Sequence, residues 1–155
     1  MYLCTKFIDM RLTHCEIGRI DLVEKNLLEV NIEAGTKVDV LNLLKFKNLV
    51  VELSRTEKLY GIFNCGAYSN YKSELCENEN LTKEARELCE NENMDDQFSA
   101  KAIIVHDLGQ MIVAKHTFRL AKTNVPTRIF VEKKQAHNWL EEQRIKVTDF
   151  QIISK

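Results

Sequence analysis

The heptamer ELCENEN occurs twice, at 74–80 and 87–93, and so puts Cys76 and Cys89 at equivalent positions 13 residues apart. Thiolate and imidazole are ligands that suit zinc. These two cysteines, with His106, His116 and His137, are therefore the first constellation to weigh. Zinc sites present their ligands in closely spaced pairs. Here neither cysteine belongs to a C-x-x-C pair and no H-x-x-x-H is present. Buried thiols and an incidental duplication explain the cysteines better, and no metal or other cofactor is expected. Cys–His nucleophilic chemistry does not need its members adjacent in sequence, but no local signature for it occurs. No catalytic motif of any other kind appears, and the expectation is a protein that is not an enzyme.

Two helix starts supply the remaining candidates. Thr82 precedes the apolar positions Ala85, Leu88 and Cys89 and is placed to cap a helix over 81–89. A hydroxyl there is also a candidate switch or partner-docking residue, because a phosphate would meet the helix N-terminus favourably. The surrounding glutamates would oppose it. Asp107 followed by Gln110 reads as a variant capping box opening a helix at Leu108. Such a start is a candidate anion site, but the carboxylate of Asp107 would compete with an incoming anion. Gly109 stands alone, so there is no glycine-rich phosphate loop.

Charge is unevenly distributed. The chain has 155 residues and a net charge of −1, yet residues 74–96 carry −7 and residues 97–155 carry +5. The acidic segment reads as a solvated loop and helix face that disfavours nucleic acid; no EF-hand spacing turns it into a cation site. The basic half is too dilute for a phosphate-binding track, so no nucleic-acid partner is expected. An apolar fraction of 45% with one proline argues for a single folded domain. No apolar run approaches the ~20 residues of a membrane span, and MYLCTKFIDM lacks the features of a signal peptide. Five widely spaced cysteines without a leader favour reduced thiols and a cytoplasmic location. Met10 is a candidate alternative start.

The elements that must position these residues are legible from periodicity. Cys15 to Ile20 and Asn26 to Ile32 read as a hairpin turning through DLVEK, with Leu28, Val30 and Ile32 alternating. Val38 to Leu53 reads as a helix capped by Asp39, with Val40, Leu43, Leu44, Val50 and Val51 on one broad face. Lys58 to Cys65 is a strand whose Gly61 signals a close approach. The clearest signal is Ala100 to Val131: a strand through AIIV, a helix over 108–121, and a strand after Pro126. That helix carries apolar residues on more than one side, more than a single sheet contact needs. A last helix spans Lys133 to Gln143, and the apolar tail Ile145 to Ile153 is expected to add an edge strand or pack on a second subunit. Alternating strands and helices after a hairpin predict an α/β domain with a mostly parallel five-stranded sheet.

The run AKAIIVHDLGQMIVAKHTFRLAKTNVPTRIFVEKKQAHNWLEE resembles bacterial proteins of the STAS/SpoIIAA-like class. The pieces that carry the likeness are AKAIIV, the LGQ helix start, VPTRIF and the closing A-x-x-WL, with LTKEAREL at 81–88 as the middle helix. The likeness covers roughly 14–142. It implies a βα superhelical sandwich over 14–143, preceded by an extension at 1–13 and followed by the tail at 144–155. It also implies frequent self-association and no catalytic centre. The phosphorylatable Ser of such antagonists lies in an Asp-Ser motif; here Asn80 and Leu81 precede Thr82, so the motif is absent.

Together these features predict a regulatory module that works through protein contacts, including a homodimer through the 108–121 helix or the C-terminal tail. The alternatives are a small-molecule or lipid-binding module and a phospho-regulated switch through Thr82. An enzyme site would require a pocket joining a cysteine or carboxylate to a histidine.

Overall fold

The structure, a computed structural model, describes residues 18–33, 39–64, 84, 87–88, 94–120 and 123–153. The elements in order are β1 (Gly18–Glu24), β2 (Leu27–Ile32), α1 (Val40–Leu53), β3 (Leu59–Asn64), a 3-10 turn (Asp95–Gln97), β4 (Phe98–Ile104), α2 (Leu108–Leu120), β5 (Thr127–Phe130) and α3 (Lys133–Ile153). One sheet has the order β1-β2-β3-β4-β5; β1 is antiparallel to β2 and every other pair is parallel. The expected α/β domain with a mostly parallel five-stranded sheet is therefore present.

Strand alternation sends side chains to two faces, and both are covered. On one face Ile20, Leu28, Val30, Leu59 and Phe98 pack with Leu43, Phe46 and Val50 of α1. On the other, Leu27, Tyr60, Ile62, Ala100, Ala102, Ile104 and Phe130 pack with Ala136 and Leu140 of α3. Burying one such Val, Leu or Ile contributes roughly 1.5–3 kcal/mol, so these two layers carry the fold. Leu88 and Met94 join the first layer.

Several boundaries differ from the sequence reading. The hairpin turns at Lys25-Asn26, and Asp21–Glu24 extend β1 through most of the expected DLVEK turn, because Ile20 and Leu22 continue the strand's packing on the α1 layer. A two-residue turn suits strand twist better than a longer one. Gly18 has φ +143, and a Cβ there would meet the Asn31 carbonyl oxygen at 2.1 Å, so β1 can start against β2 only with glycine. In α1, Asp39 caps as expected, its Oδ1 accepting from the Asn42 amide at 2.8 Å. The broad apolar face divides, however. Leu43, Phe46 and Val50 face the sheet, while Leu41, Leu44 and Val51 are exposed. Gly61 is a close approach as expected: a Cβ would meet the rings of Phe63 at 2.7 Å and Phe98 at 2.8 Å.

The largest correction concerns the C-terminus. No edge strand forms from Ile145 to Ile153; α3 runs 21 residues to Ile153. Neither Gly nor Pro interrupts 144–153, and Arg144 anchors the helix midway, donating to Glu24 Oε2 at 2.5 Å and Asn26 Oδ1 at 3.2 Å. Ile145 and Val147 are exposed, as are all residues from 145 to 149, so that stretch of the helix does not pack back on the domain. Among the described residues, no helix is long and apolar enough to cross a membrane.

Candidate functional site

Four parallel strands that point the same way place their carboxyl ends along one edge of the sheet. Near those ends lie Asn31, the penultimate residue of β2, Asn64, the last of β3, and His106, two residues beyond the end of β4 at Ile104. Asn31 and Asn64 are register partners, so their side chains leave the same sheet face as neighbours. The Asn64 amide donates to Asn31 Oδ1 at 3.0 Å, and the Asn31 amide donates to Glu29 Oε1 at 3.1 Å. At the other end, His106 Nε2 lies 2.7 Å from Asn64 Oδ1. A continuous chain Glu29–Asn31–Asn64–His106 thus crosses three strands.

Its inner end is a buried carboxylate; the Glu29 side chain is 8% exposed. Lys133, in the first turn of α3, donates to Glu29 Oε1, and His137 one turn further on places Nε2 at 3.8 Å from Oε2. Burial pushes the Glu29 carboxyl up, but the hydrogen bonds from Lys133 and Asn31 and the charges of Lys133 and His137 outweigh it, leaving Glu29 below its ordinary range. Glu29 is therefore ionised and an acceptor only. The outer end is open: His106 is exposed.

Sequence reasoning missed Glu29, Asn31 and Asn64. Alternation in β2 gave Leu28, Val30 and Ile32 an inner face and left Glu29 and Asn31 outside. Because α3 covers that second face, Glu29 is buried instead. The available signal was a charged residue inside LLEVNI in a strand with neighbours on both sides, which obliges a buried partner.

The helix-start residues lie beside the chain's open end. Asp107 Oδ1 accepts from the Gln110 amide at 2.8 Å, the expected cap. The return bond is displaced by one residue: Gln110 Oε1 accepts from the His106 amide at 2.8 Å rather than from Asp107. Gln110 is buried and so fixes the backbone of His106. Asp107 and Gln110 are thus a cap that also positions a histidine. Thr82, Cys76 and Cys89 lie outside the described residues, as do residues 1–13. His106 and His137 serve the same polar chain, at opposite ends, and no group of three metal-ligating side chains occurs among the described residues.

A second buried carboxylate sits at the amino edge. Asp95 accepts from Lys101 Nζ at 3.1 Å, Thr123 Oγ1 at 2.9 Å and the Asn124 amide at 3.2 Å. Burial raises its carboxyl, but the Thr123 and Lys101 hydrogen bonds more than offset that and hold it below the usual range. Exposed apolar side chains lie elsewhere: Leu108 (72%) and Ile112 (59%), four residues apart in α2, Val131 (60%) just past β5, and Leu41, Leu44 and Val51 on α1.

The strand order, the two-sided packing and the polar chain define an α/β domain with its distinctive chemistry along the carboxyl edge. The sequence profile of the family described as a domain of unknown function, DUF7793, matches residues 22–144, and the chain belongs to that family. The match takes in Glu29, Asn31, Asn64, His106, Lys133 and His137 and ends at Arg144. No curated protein and no solved structure matches the chain.

Proposed function

We propose that this chain is a STAS-like regulatory module that works through protein contacts and self-associates through α2. The observation that carries this reading is the exposure of Leu108 and Ile112. Spaced by four residues, they share one helical face and make a single patch. Ile145 and Val147 of α3 are also exposed, but two residues apart they point to different sides of the helix and make no common surface. Of the two expected dimer surfaces, α2 is therefore the one supported. The sequential order of the parallel strands supports the βα superhelix that the STAS resemblance implies.

Sedimentation velocity over a wide concentration range tests the reading. Wild type should sediment as a dimer, and the double variant Leu108→Glu/Ile112→Glu should be monomeric with unchanged circular dichroism, since within one copy neither side chain packs on the core. A wild type that stays monomeric at the highest concentration overturns it.

A further inference from the structure

We propose that the carboxyl edge of β2–β4 is a binding site whose recognition atom is His106 Nδ1, held as a hydrogen-bond acceptor, and that it takes a ligand group bearing a protonated nitrogen. The argument runs along the polar chain in one direction. Glu29 is acceptor only, so Asn31 must turn its amide nitrogen toward Glu29 and its oxygen toward Asn64. Asn64 must then give its amide nitrogen to Asn31 and keep its oxygen for His106. An amide oxygen cannot donate, so the proton between Asn64 and His106 belongs to Nε2. A neutral imidazole with its proton on Nε2 has a bare lone pair on Nδ1. Nδ1 has no hydrogen-bond partner among the described residues, and the ring is exposed. The backbone of His106 is held by Gln110 and its ring by Asn64, so the lone pair is presented by two independent constraints.

The neighbouring charge selects the ligand. Asp107 follows His106 directly, and its carboxylate already occupies the start of α2. A negative charge one residue along the chain disfavours an anion beside the ring, whereas an ammonium or guanidinium can donate to Nδ1 and is favoured by that charge. Glu29 in this arrangement is a positioning residue: it touches no ligand and sets the tautomer across two amides, as outer carboxylates do for histidines elsewhere. The assignment does not depend on self-association through α2.

Nitrogen-15 NMR of the histidine rings in the whole protein tests it, at a pH of about 8 where an ordinary imidazole is neutral. Wild type should show His106 wholly as the Nε2–H tautomer, with a ring N–H resonance protected from solvent exchange. Glu29→Gln supplies a donor at the inner end, lets the amides reverse, and should shift His106 toward Nδ1–H. Should that variant fail to fold, Asn64→Leu at the edge must abolish the protected ring N–H, and Asn64→Asp, which still accepts from Nε2, must restore it. Methylammonium chloride should then shift the His106 ring signals saturably, and sodium acetate at equal ionic strength should not. An unprotected wild-type ring N–H, or protection that survives Asn64→Leu, overturns the tautomer assignment. No saturable response to methylammonium, or an equal response to acetate, overturns the ligand class.

Discussion

The two ends of the sheet each hold a buried carboxylate, and they use it differently. At the amino edge Asp95 gathers Lys101, Thr123 and Asn124 around itself, and the cluster closes: Lys101 is 14% exposed and Asp95 11%. It ties the turn before β4 to the segment that enters β5. At the carboxyl edge Glu29 is as well buried, yet its bonds lead outward through Asn31 and Asn64 to an exposed imidazole. Its cationic partner Lys133 is half in water. A closed cluster spends its hydrogen bonds on the fold; a chain that ends at the surface leaves one atom available. The contrast separates a structural carboxylate from one that prepares a site.

Removing each carboxylate is the most forceful way to break that comparison. Asp95→Ala leaves Lys101 buried without its countercharge and should cost about 3–5 kcal/mol, the range for stripping one partner from a buried ion pair. Glu29→Ala should cost less, about 2 kcal/mol, in line with the loss of hydrogen bonds to a charged group, because Lys133 can turn into solvent. Urea denaturation of both variants measures the two costs side by side. Equal losses would mean that the carboxyl edge is as closed as the amino edge.

A third perturbation leaves the carboxylates in place and titrates them. Both Glu29 and Asp95 are held below their ordinary values of 4.5 and 3.8. A depressed native carboxylate adds stability above its unfolded-state value, and that stability is lost as pH falls through the native one. Stability should therefore decline as pH drops past these ordinary values, Glu29 first and Asp95 at lower pH. Chemical denaturation at stepped pH should show the upper part of the decline flattened in Glu29→Gln and the lower part retained. A decline unchanged by Glu29→Gln would remove Glu29 from the acid response.

How much of this was legible in the sequence follows from what each feature depends on. Caps and periodicities are local, so Asp39 and Asp107 stand where the sequence places them, and the strand–helix–strand unit from Ala100 to Val131 appears with small boundary shifts. Gly61 announced a close approach because nothing larger fits between Phe63 and Phe98. The polar chain was not legible, since it joins Glu29, Asn64, His106 and Lys133 across four elements, and only the register of β2 on β3 makes Asn31 and Asn64 neighbours. The tail differs for a related reason: apolar residues in 145–153 suggest an edge strand, whereas the helix begun at Lys133 simply continues, carrying Ile145 and Val147 to its exposed side.

The smallest expected effect separates capping from positioning at the start of α2. Asp107→Ala removes the acceptor for the Gln110 amide and should destabilise the protein by about 1 kcal/mol, while Asp107→Asn, an equally good cap, should cost almost nothing. Neither change touches the bond from the His106 amide to Gln110 Oε1 or the bond between Asn64 and the ring. The protected ring N–H of His106 should therefore persist in both variants, even where thermal unfolding shows the cap to be lost. If Asp107→Ala abolished that resonance, the orientation of His106 would depend on the helix start rather than on the carboxylate two strands away. The carboxyl edge would then be closed locally, by its own cap, and the difference between the two ends of the sheet would shrink to one of burial.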